Sequence, residues 1–280
     1  MRTAVMDTAP VDLAGAAAIE RVEARAWRDM FQAAPPDFAS AAGVGFREMA
    51  GALVINWAAT GRRYFSRTIG LGVIEPATEE ALDDILDGYS RAGIEMFLLQ
   101  SLPHCRPAEY ERWLRDRGLE PFDAQDRIVR DGRPAMAPPA VEYAVERVTA
   151  TTAGEWAEFI QSVYRLDTGG WLQALVDRPG WHHYAARDGA GIVAGRSMYI
   201  GSDGIAWLGI DGPVPGVHWD HYGPDAALCT YIVEDGLALG ARGFIADIEA
   251  PSDAMDTPAY ELFGRLGFSR PYVRTHWTRL

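Results

Sequence analysis

The 280-residue chain repeats one pattern of helices and strands in its two halves, and this repeat constrains the fold most strongly. Each half begins with a helical segment built around Trp and Phe, "EARAWRDMFQAA" and then "TAGEWAEFIQSVY". In the second of these, Thr152 and Glu155 have the spacing of a capping box. Each half ends with an amphipathic helical segment that stops at Gly118 or Gly267 and is followed by an aromatic strand. Such self-similarity indicates two copies of one fold.

A proline-containing segment, "DGRPAMAPPAVEY" at residues 131–143, separates the two halves. Prolines disfavour helix for themselves and for the residues before them, so this composition predicts an extended connection. We therefore expect an N-terminal domain over residues 1–135 and a C-terminal domain over residues 140–280. The C-terminal domain, whose pattern is the clearer one, is expected to carry the site.

The second half has a well-marked order of elements. Asp188-Gly189 and Asp203-Gly204 each lie between two strand patterns, as in hairpin turns. The strand "IAWLGID" is followed by a loop and by a helix over residues 224–240. The strand "GFIADIEA", the helix "TPAYELFGRLG" and the strand "YVRTHWTRL" complete the chain. The order predicts an α/β fold in which each domain has a mixed, mostly antiparallel sheet flanked by helices.

Charge and cysteine content restrict the partners and the location. The formal net charge of −13 would repel nucleic acid and anionic membrane surfaces, which leaves a small-molecule substrate as the expected partner. The N-terminus has no long apolar stretch behind basic residues, so we expect no signal peptide, and "GALVINWAA" is too short to span a bilayer and is expected to form a strand. Cys105 and Cys229 are too few for a disulfide framework and fit a reducing cytoplasm, where we expect them to be inert.

The element order, together with Leu266-Gly267-Phe268 at the end of the last helix, resembles the GCN5-related N-acetyltransferases (GNATs). The resemblance covers residues 140–280 well and residues 15–130 faintly. It implies a tandem GNAT-like protein that moves an acyl (acetyl) group from acyl-CoA to a small-molecule amine. It also implies that acetyl-CoA is held by a strand–loop–helix turn, whose contacts in this sequence would come from Leu208, Ile210, Gly223, Asp225 and Ala226.

The loop that would hold the pyrophosphate departs from the family signature Arg/Gln-x-x-Gly-x-Gly/Ala. The matching stretch is "DHYGPD", in which Gly223 is kept while Asp220 and Asp225 replace the two flanking positions. Two like charges ~4 Å apart repel by about 4 kcal/mol at an effective dielectric constant near 20. Pro224 also removes one backbone N–H. The sequence therefore predicts that the two carboxylates weaken binding of CoA.

The first half lacks a phosphate-binding turn altogether. Its corresponding segment is "EPATEEALDDILDGY", in which acidic residues crowd the start of a helix. Acidic side chains stabilise a helix N-terminus but disfavour a phosphate there. We expect the first half to bind no nucleotide and to have a structural role.

The resemblance also implies catalytic groups on the strands around the cleft and on the last helix. Phe263 stands where the family often has a tyrosine that protonates the leaving thiolate, so Tyr260, on about the same helix face, is the candidate donor. The candidate general bases, which end strand patterns or interrupt an apolar run, are Asp211, Asp247 and Glu249.

Two other functions stay open at this point. His218, Asp220, His221 and Asp225 are residue types that bind divalent metals, but their spacing matches no known motif and we expect no metal. A GNAT-fold enzyme that does not use CoA could instead contact a cationic substrate or a metal with this loop. A non-catalytic binding module is the second alternative. Arg274, which could supply positive charge, is expected to be solvent-exposed.

Overall fold

The computed structural model describes residues 6–134, 143–213, 223–250 and 258–279. The chain divides into two compact units. We call Pro10–Asp126 with Pro271–Leu280 the N unit, and Met1–Ala9 with Arg127–Arg270 the C unit. Among the described residues, no helix is long and apolar enough to cross a membrane.

The first half of the chain supplies four helices and five strands of the described structure. The helices are α1 (Leu13–Gln32), α2 (Pro36–Ala42), α3 (Glu79–Arg91) and α4 (Tyr110–Asp116). The strands are β1 (Val44–Met49), β2 (Ala52–Trp57), β3 (Arg67–Ile69), β4 (Leu98–Ser101) and β5 (Glu120–Asp131).

The second half supplies the remaining described elements. The helices are α5 (Ala153–Tyr164), α6 (Trp171–Leu175), α7 (Pro224–Ala238) and α8 (Pro258–Arg265). The strands are β6 (Ala144–Arg147), β7 (Trp181–Arg187), β8 (Ile192–Ile200), β9 (Ile205–Pro213), β10 (Gly243–Glu249) and β11 (Ser269–Thr278). From α1 to β5 and from α5 to β11 the order is the same: two helices, three strands, helix, strand, helix, strand. The predicted tandem α/β architecture is confirmed.

Each unit contains a strand segment that comes from the other half of the chain. In the N unit the strand order is β1-β2-β3-β4-β11, with Thr275 of β11 opposite Ser101 of β4. In the C unit the second part of β5 follows β10, and the order continues β9-β8-β7-β6. The predicted chain boundaries at 135 and 140 stay a prediction, because the linker residues 135–142 lie outside the described ones.

Two predicted helix ends are confirmed, and one predicted helix start is wrong. Gly118 and Gly267 adopt positive φ after α4 and α8, as a helix-ending glycine does. The capping box at the start of α5 is wrong: the Thr152 side chain caps no helix N–H. Glu155 instead accepts two hydrogen bonds from Arg187 on β7, at 2.7 and 2.5 Å, because the antiparallel sheet brings that guanidinium within reach.

Buried ion pairs fix α1 to the sheet of the N unit. Arg274 on β11 is fully buried and pairs with Glu20, at 3.4 Å, and with Glu23, both on α1. The expectation of an exposed Arg274 is therefore wrong. Two carboxylates from one helix compensate its charge, and the Gln100 amide oxygen accepts a further bond at 3.4 Å.

Candidate functional site

A β-bulge interrupts the pairing of β8 with β9 in the C unit. Ser197 faces Gly209 and Gly195 faces Gly212, so two residues of β9, Ile210 and Asp211, lie opposite Arg196 alone. Ile210 has φ 47°, a left-handed conformation that a β-branched residue rarely adopts. The bulge is thus a strained and specific feature of this strand.

Strands β9 and β10 separate at the level of the bulge. Their parallel pairing runs from Ile205 opposite Gly243 to Trp207 opposite Ile245, and no later described residue continues it. Helix α7, which follows β9 in the chain, begins after Gly223 with Pro224 as its first residue. Unpaired strand backbone and a helix N-terminus both offer N–H groups to a ligand.

Arg196 is buried beside the bulge and holds two carboxylates. Its Nη2 lies 2.8 Å from Asp211 Oδ2 and 3.2 Å from Asp225 Oδ1. The Arg196 side chain is 4% exposed, against 10% for Asp225 and 37% for Asp211. Burial disfavours the Arg196 cation, but the two carboxylates outweigh burial and raise its pKa above the ordinary value.

The Asp225 carboxylate lies on the core side of α7. Cys229, one turn further along and fully buried, has its Sγ 3.7 Å from Asp225 Oδ2. Burial raises the pKa of the Asp225 carboxyl, and the Arg196 charge opposes that shift. Arg196 compensates this carboxylate inside the protein, and the expectation that it repels a phosphate stays a prediction.

Helix α5 supports the bulge from the other side of β9. The Tyr164 hydroxyl donates to the backbone oxygen of Asp211 at 2.5 Å. A Cβ on Gly212 would stand 2.6 Å from Val163 Cγ1, so only glycine lets α5 approach this closely. These contacts hold the backbone of Asp211 while leaving its carboxylate partly accessible.

Comparison with known proteins identifies this arrangement of elements. No protein-family model matches the sequence, and no curated protein sequence matches it. A GCN5-related N-acetyltransferase from Kribbella flavida has a TM-score of 0.58 at 14% identity, covering 84% of this chain and 88% of that one. A GCN5-related N-acetyltransferase from Sphaerobacter thermophilus has a TM-score of 0.54 at 17% identity, with coverages of 81% and 79%. A tandem GNAT protein from the clavulanic acid biosynthesis pathway has a TM-score of 0.51 at 13% identity and covers 87% of each chain.

This chain has the GNAT fold. The structural likeness confirms the resemblance drawn from the element order and from Leu266-Gly267-Phe268. At these identities it establishes the fold and leaves the substrate and the use of CoA to the chemistry of the site.

The sequence-predicted catalytic residues occupy different environments within this GNAT fold. Asp211 is at the bulge, whereas Asp247 on β10 pairs with the buried Arg127, with 3.2 Å between Oδ1 and Nη1. Glu249 is exposed at the end of β10. Tyr260 on α8 has a buried hydroxyl that bonds to no described residue. The catalytic role of each of these residues stays a prediction.

The predicted cofactor contacts cluster around the bulge and the start of α7. Leu208 and Ala226 are both 3% exposed and belong to the core of the C unit, so only their backbone can meet a ligand. Ile210 is the strained residue of the bulge, and Gly223 caps α7. Their role in cofactor binding stays a prediction.

The remaining candidates give no metal site among the described residues. His218, Asp220 and His221 lie outside the described part of the chain. Within it, no group of three or more His, Cys, Asp or Glu side chains could hold a metal ion.

Burial raises the pKa of the Cys105 thiol to about 12 and raises that of Cys229 as well, so both are poor nucleophiles.

Arg196 was missed by the sequence analysis, although a signal for it exists. In the strand "IVAGRSMYI" it alternates with Ala194 and Met198, both of which belong to the core of the C unit. A charged residue on the core face of a strand needs a buried counter-ion. That requirement marks Arg196 as half of a buried ion pair, although it does not say which carboxylates are its partners.

Proposed function

We propose that this protein is an acyltransferase that moves an acyl group from acyl-CoA to a small-molecule amine. The observation that carries the proposal is the opening between β9 and β10, at the bulge of Ile210–Asp211, in a GNAT fold. In such an opening the backbone N–H groups of one strand can receive an extended ligand, as in strand addition.

The described residues fit an acyl-CoA in backbone chemistry and in charge. The first turn of α7 offers the N–H of Asp225, near the positive end of the helix dipole. The carboxylate of the same residue is engaged by Arg196, so the cluster of Arg196, Asp211 and Asp225 carries a formal charge of −1 instead of −2. This reduces the repulsion that the sequence alone predicted.

Each group of the site then has a defined task. The bound acyl-CoA supplies the activated acyl group. Backbone N–H groups of β9 at Leu208 and Ile210 polarise the thioester carbonyl. The accessible carboxylate of Asp211 attracts the substrate ammonium and accepts its proton. Tyr260 is the candidate proton donor to the leaving thiolate.

Two alternatives to Asp211 as general base fit less well. Asp247 pairs with the buried Arg127 and is the less accessible carboxylate, with 16% of its side chain exposed against 37% for Asp211. Glu249 is exposed at the end of its strand, and no described residue pairs with its carboxylate to orient it. Asp211 combines an accessible carboxylate with a fixed backbone.

Calorimetric titration of acetyl-CoA and of free CoA into the full-length protein tests the proposal. We expect saturable binding of one equivalent with a Kd in the range of about 1 μM to 1 mM, typical of enzyme substrates. Absence of binding, combined with turnover of a cationic substrate, would contradict it. That result would favour an enzyme that uses the acidic cluster without CoA, for which the 37% exposure of Asp211 is the supporting observation.

The free thiols and the charge of the chain support a cytoplasmic location in either case.

Asp225→Asn should change the Kd for acetyl-CoA by less than about threefold, because the carboxylate is already neutralised on the core side of α7. The same titration measures this, with thermal unfolding as a check of folding. Affinity about tenfold higher in the variant would show that the carboxylate does repel the pyrophosphate. The effect of Asp220, outside the described residues, stays as the sequence predicts it.

A further inference from the structure

A chain of buried polar side chains runs through the N unit and takes no part in the proposed reaction. It follows one face of β11, where the side chains of Arg274 and His276 are both fully buried. Gln100, on the neighbouring strand β4, forms a hydrogen bond with each of them. Buried polar groups have few alternative partners, so the donor or acceptor role of each atom can be assigned from its neighbours.

The imidazole of His276 lies between an acceptor and a donor. Its Nδ1 is 2.6 Å from Asp123 Oδ1. Burial raises the pKa of the Asp123 carboxyl, but hydrogen bonds from His276 and Tyr64 outweigh burial and lower it, so this carboxylate is ionised and only accepts. The His276 Nε2 is 3.3 Å from Gln100 Nε2, an amide nitrogen that only donates. The neutral ring with its proton on Nδ1 therefore satisfies both neighbours.

The amide of Gln100 is oriented from its other side by Arg274. Its Oε1 accepts a hydrogen bond from Nη1 of Arg274 at 3.4 Å. Arg274 in turn pairs with Glu20, at 3.4 Å, and with Glu23, both on α1. If the amide turned over, it would present its NH2 group to a guanidinium that is itself only a donor. Gln100 thus links the protonation state of His276 to the ion pairs that hold α1.

Protonation of His276 conflicts with this arrangement. A second ring proton, on Nε2, faces the NH2 group of Gln100, so two donors meet without an acceptor. Turning the amide over relieves that conflict, but the amide then faces Arg274 with a donor. Burial is the largest effect on the pKa of His276 and lowers it, Asp123 opposes burial, and Arg274 and Arg67 lower the pKa further. The pKa of His276 is therefore below its ordinary value.

The elements packed around His276 and Arg274 supply the other charged groups. On one side, Asp123 of β5 is 29% exposed and connects the imidazole with solvent. On the other side, Glu23 of α1 lies 3.6 Å from Arg67 Nη1 and also pairs with Arg274, so α1 compensates both guanidiniums. The contacts therefore lead from solvent to α1. The charged and titratable groups along them are Asp123, Tyr64, His276, Arg67, Arg274, Glu20 and Glu23.

We propose that His276, Gln100 and Arg274 form a pH-sensitive relay that loosens the attachment of α1 to the sheet of the N unit when His276 is protonated. The neutral ring keeps the Gln100 amide in the orientation that supports Arg274, and Arg274 holds the two glutamates of α1. The unfolded chain takes up the His276 proton at a higher pH than the folded unit does. The stability that neutral His276 contributes is therefore complete above a pH of about 6.5 and is lost as the pH falls below it. The relay does not depend on the proposed acyltransferase activity.

NMR titration of the histidine rings in the full-length protein tests the first step of the relay. The signal that His276→Gln removes identifies His276 among the six histidines. We expect its half-protonation below a pH of about 6.5 in the wild type. Gln100→Glu gives the Nε2–H an acceptor and keeps an oxygen for Arg274, so it should raise the proton affinity of His276 at least about tenfold. Gln32→Glu, at the exposed end of α1, is the matched control and should leave the affinity unchanged.

Amide hydrogen exchange of α1 at about pH 7.5 and about pH 5.5 tests the transmission to the helix. After correction for the intrinsic pH dependence of exchange, the protection of α1 should fall at least about threefold more in the wild type than in His276→Gln. In Gln100→Glu, where the protonated ring already has its acceptor, the fall should be no larger than in His276→Gln. Half-protonation of wild-type His276 at or above a pH of about 6.5 would overturn the proposal. An equal fall of α1 protection in the wild type and in His276→Gln, or no rise of the His276 proton affinity in Gln100→Glu, would overturn it as well.

Discussion

Arg196→Met should lower the free energy of unfolding by about 3–5 kcal/mol, the cost of leaving a buried carboxylate without its partner. The unpaired group would be Asp225, whose side chain is 10% exposed, whereas the more exposed Asp211 can be solvated by water. Denaturant unfolding at neutral pH measures the loss. The loss should shrink as the pH falls. Without Arg196 the pKa of the Asp225 carboxyl is raised further, so at acidic pH the folded variant binds a proton more readily than the unfolded chain does.

Two further variants separate the ion pair from the packing of the side chain. Arg196→Met/Asp225→Asn removes both charges and should recover most of the lost stability. Arg112→Met removes an exposed arginine that pairs with Asp116 on the same helix, and it should change stability by less than about 0.5 kcal/mol. If Arg196→Met alone were as stable as the wild type, the cluster of Arg196, Asp211 and Asp225 would not be needed for folding.

Asp211→Asn should lower kcat for amine acetylation by about 100-fold or more, the usual contribution of a general base. The carboxamide keeps the size of the side chain and a hydrogen-bonding oxygen for Arg196, but it accepts no proton from the substrate. Steady-state kinetics on the wild type and the variant, at several pH values, give kcat and KM separately. A loss in kcat larger than the change in KM is expected, since the proton transfer belongs to the chemical step.

Two carboxylates of the C unit serve as comparisons for Asp211. Glu234→Gln changes an exposed carboxylate on α7 and should leave kcat within about twofold of the wild type. Glu249→Gln tests the other accessible candidate base. If Glu249→Gln abolished turnover while Asp211→Asn did not, the assignment of the base to Asp211 would be wrong.

The fold followed from features that act over short stretches of sequence. Helical periodicity, hairpin dipeptides and helix-ending glycines such as Gly118 and Gly267 gave the element order of both halves. The pairing of β11 with β4 and of β5 with β10 could not be predicted in this way. Strands β5 and β11 end equivalent halves with similar patterns, and local patterning does not determine which neighbour a strand pairs with.

The candidate site was predicted as a region, but not as a set of ion pairs. Asp211 and Asp225 were recognised, while Arg196, which joins them, was not. Arg274 was likewise expected in solvent, because its partners on α1 lie more than 250 positions away in the chain. A buried charge becomes interpretable only when its counter-ion is known, and long-range pairing decides the counter-ion.

Amide hydrogen exchange with and without acetyl-CoA tests most directly the central claim, that the opening between β9 and β10 receives acyl-CoA. Bound ligand should slow exchange in residues 208–212 of β9 and in the first turn of α7 after Pro224, where backbone N–H groups are offered to it. Unchanged exchange in these segments would contradict the claim if it persisted up to about 5 mM acetyl-CoA, a concentration above ordinary KM values. Protection confined to the N unit would contradict it equally.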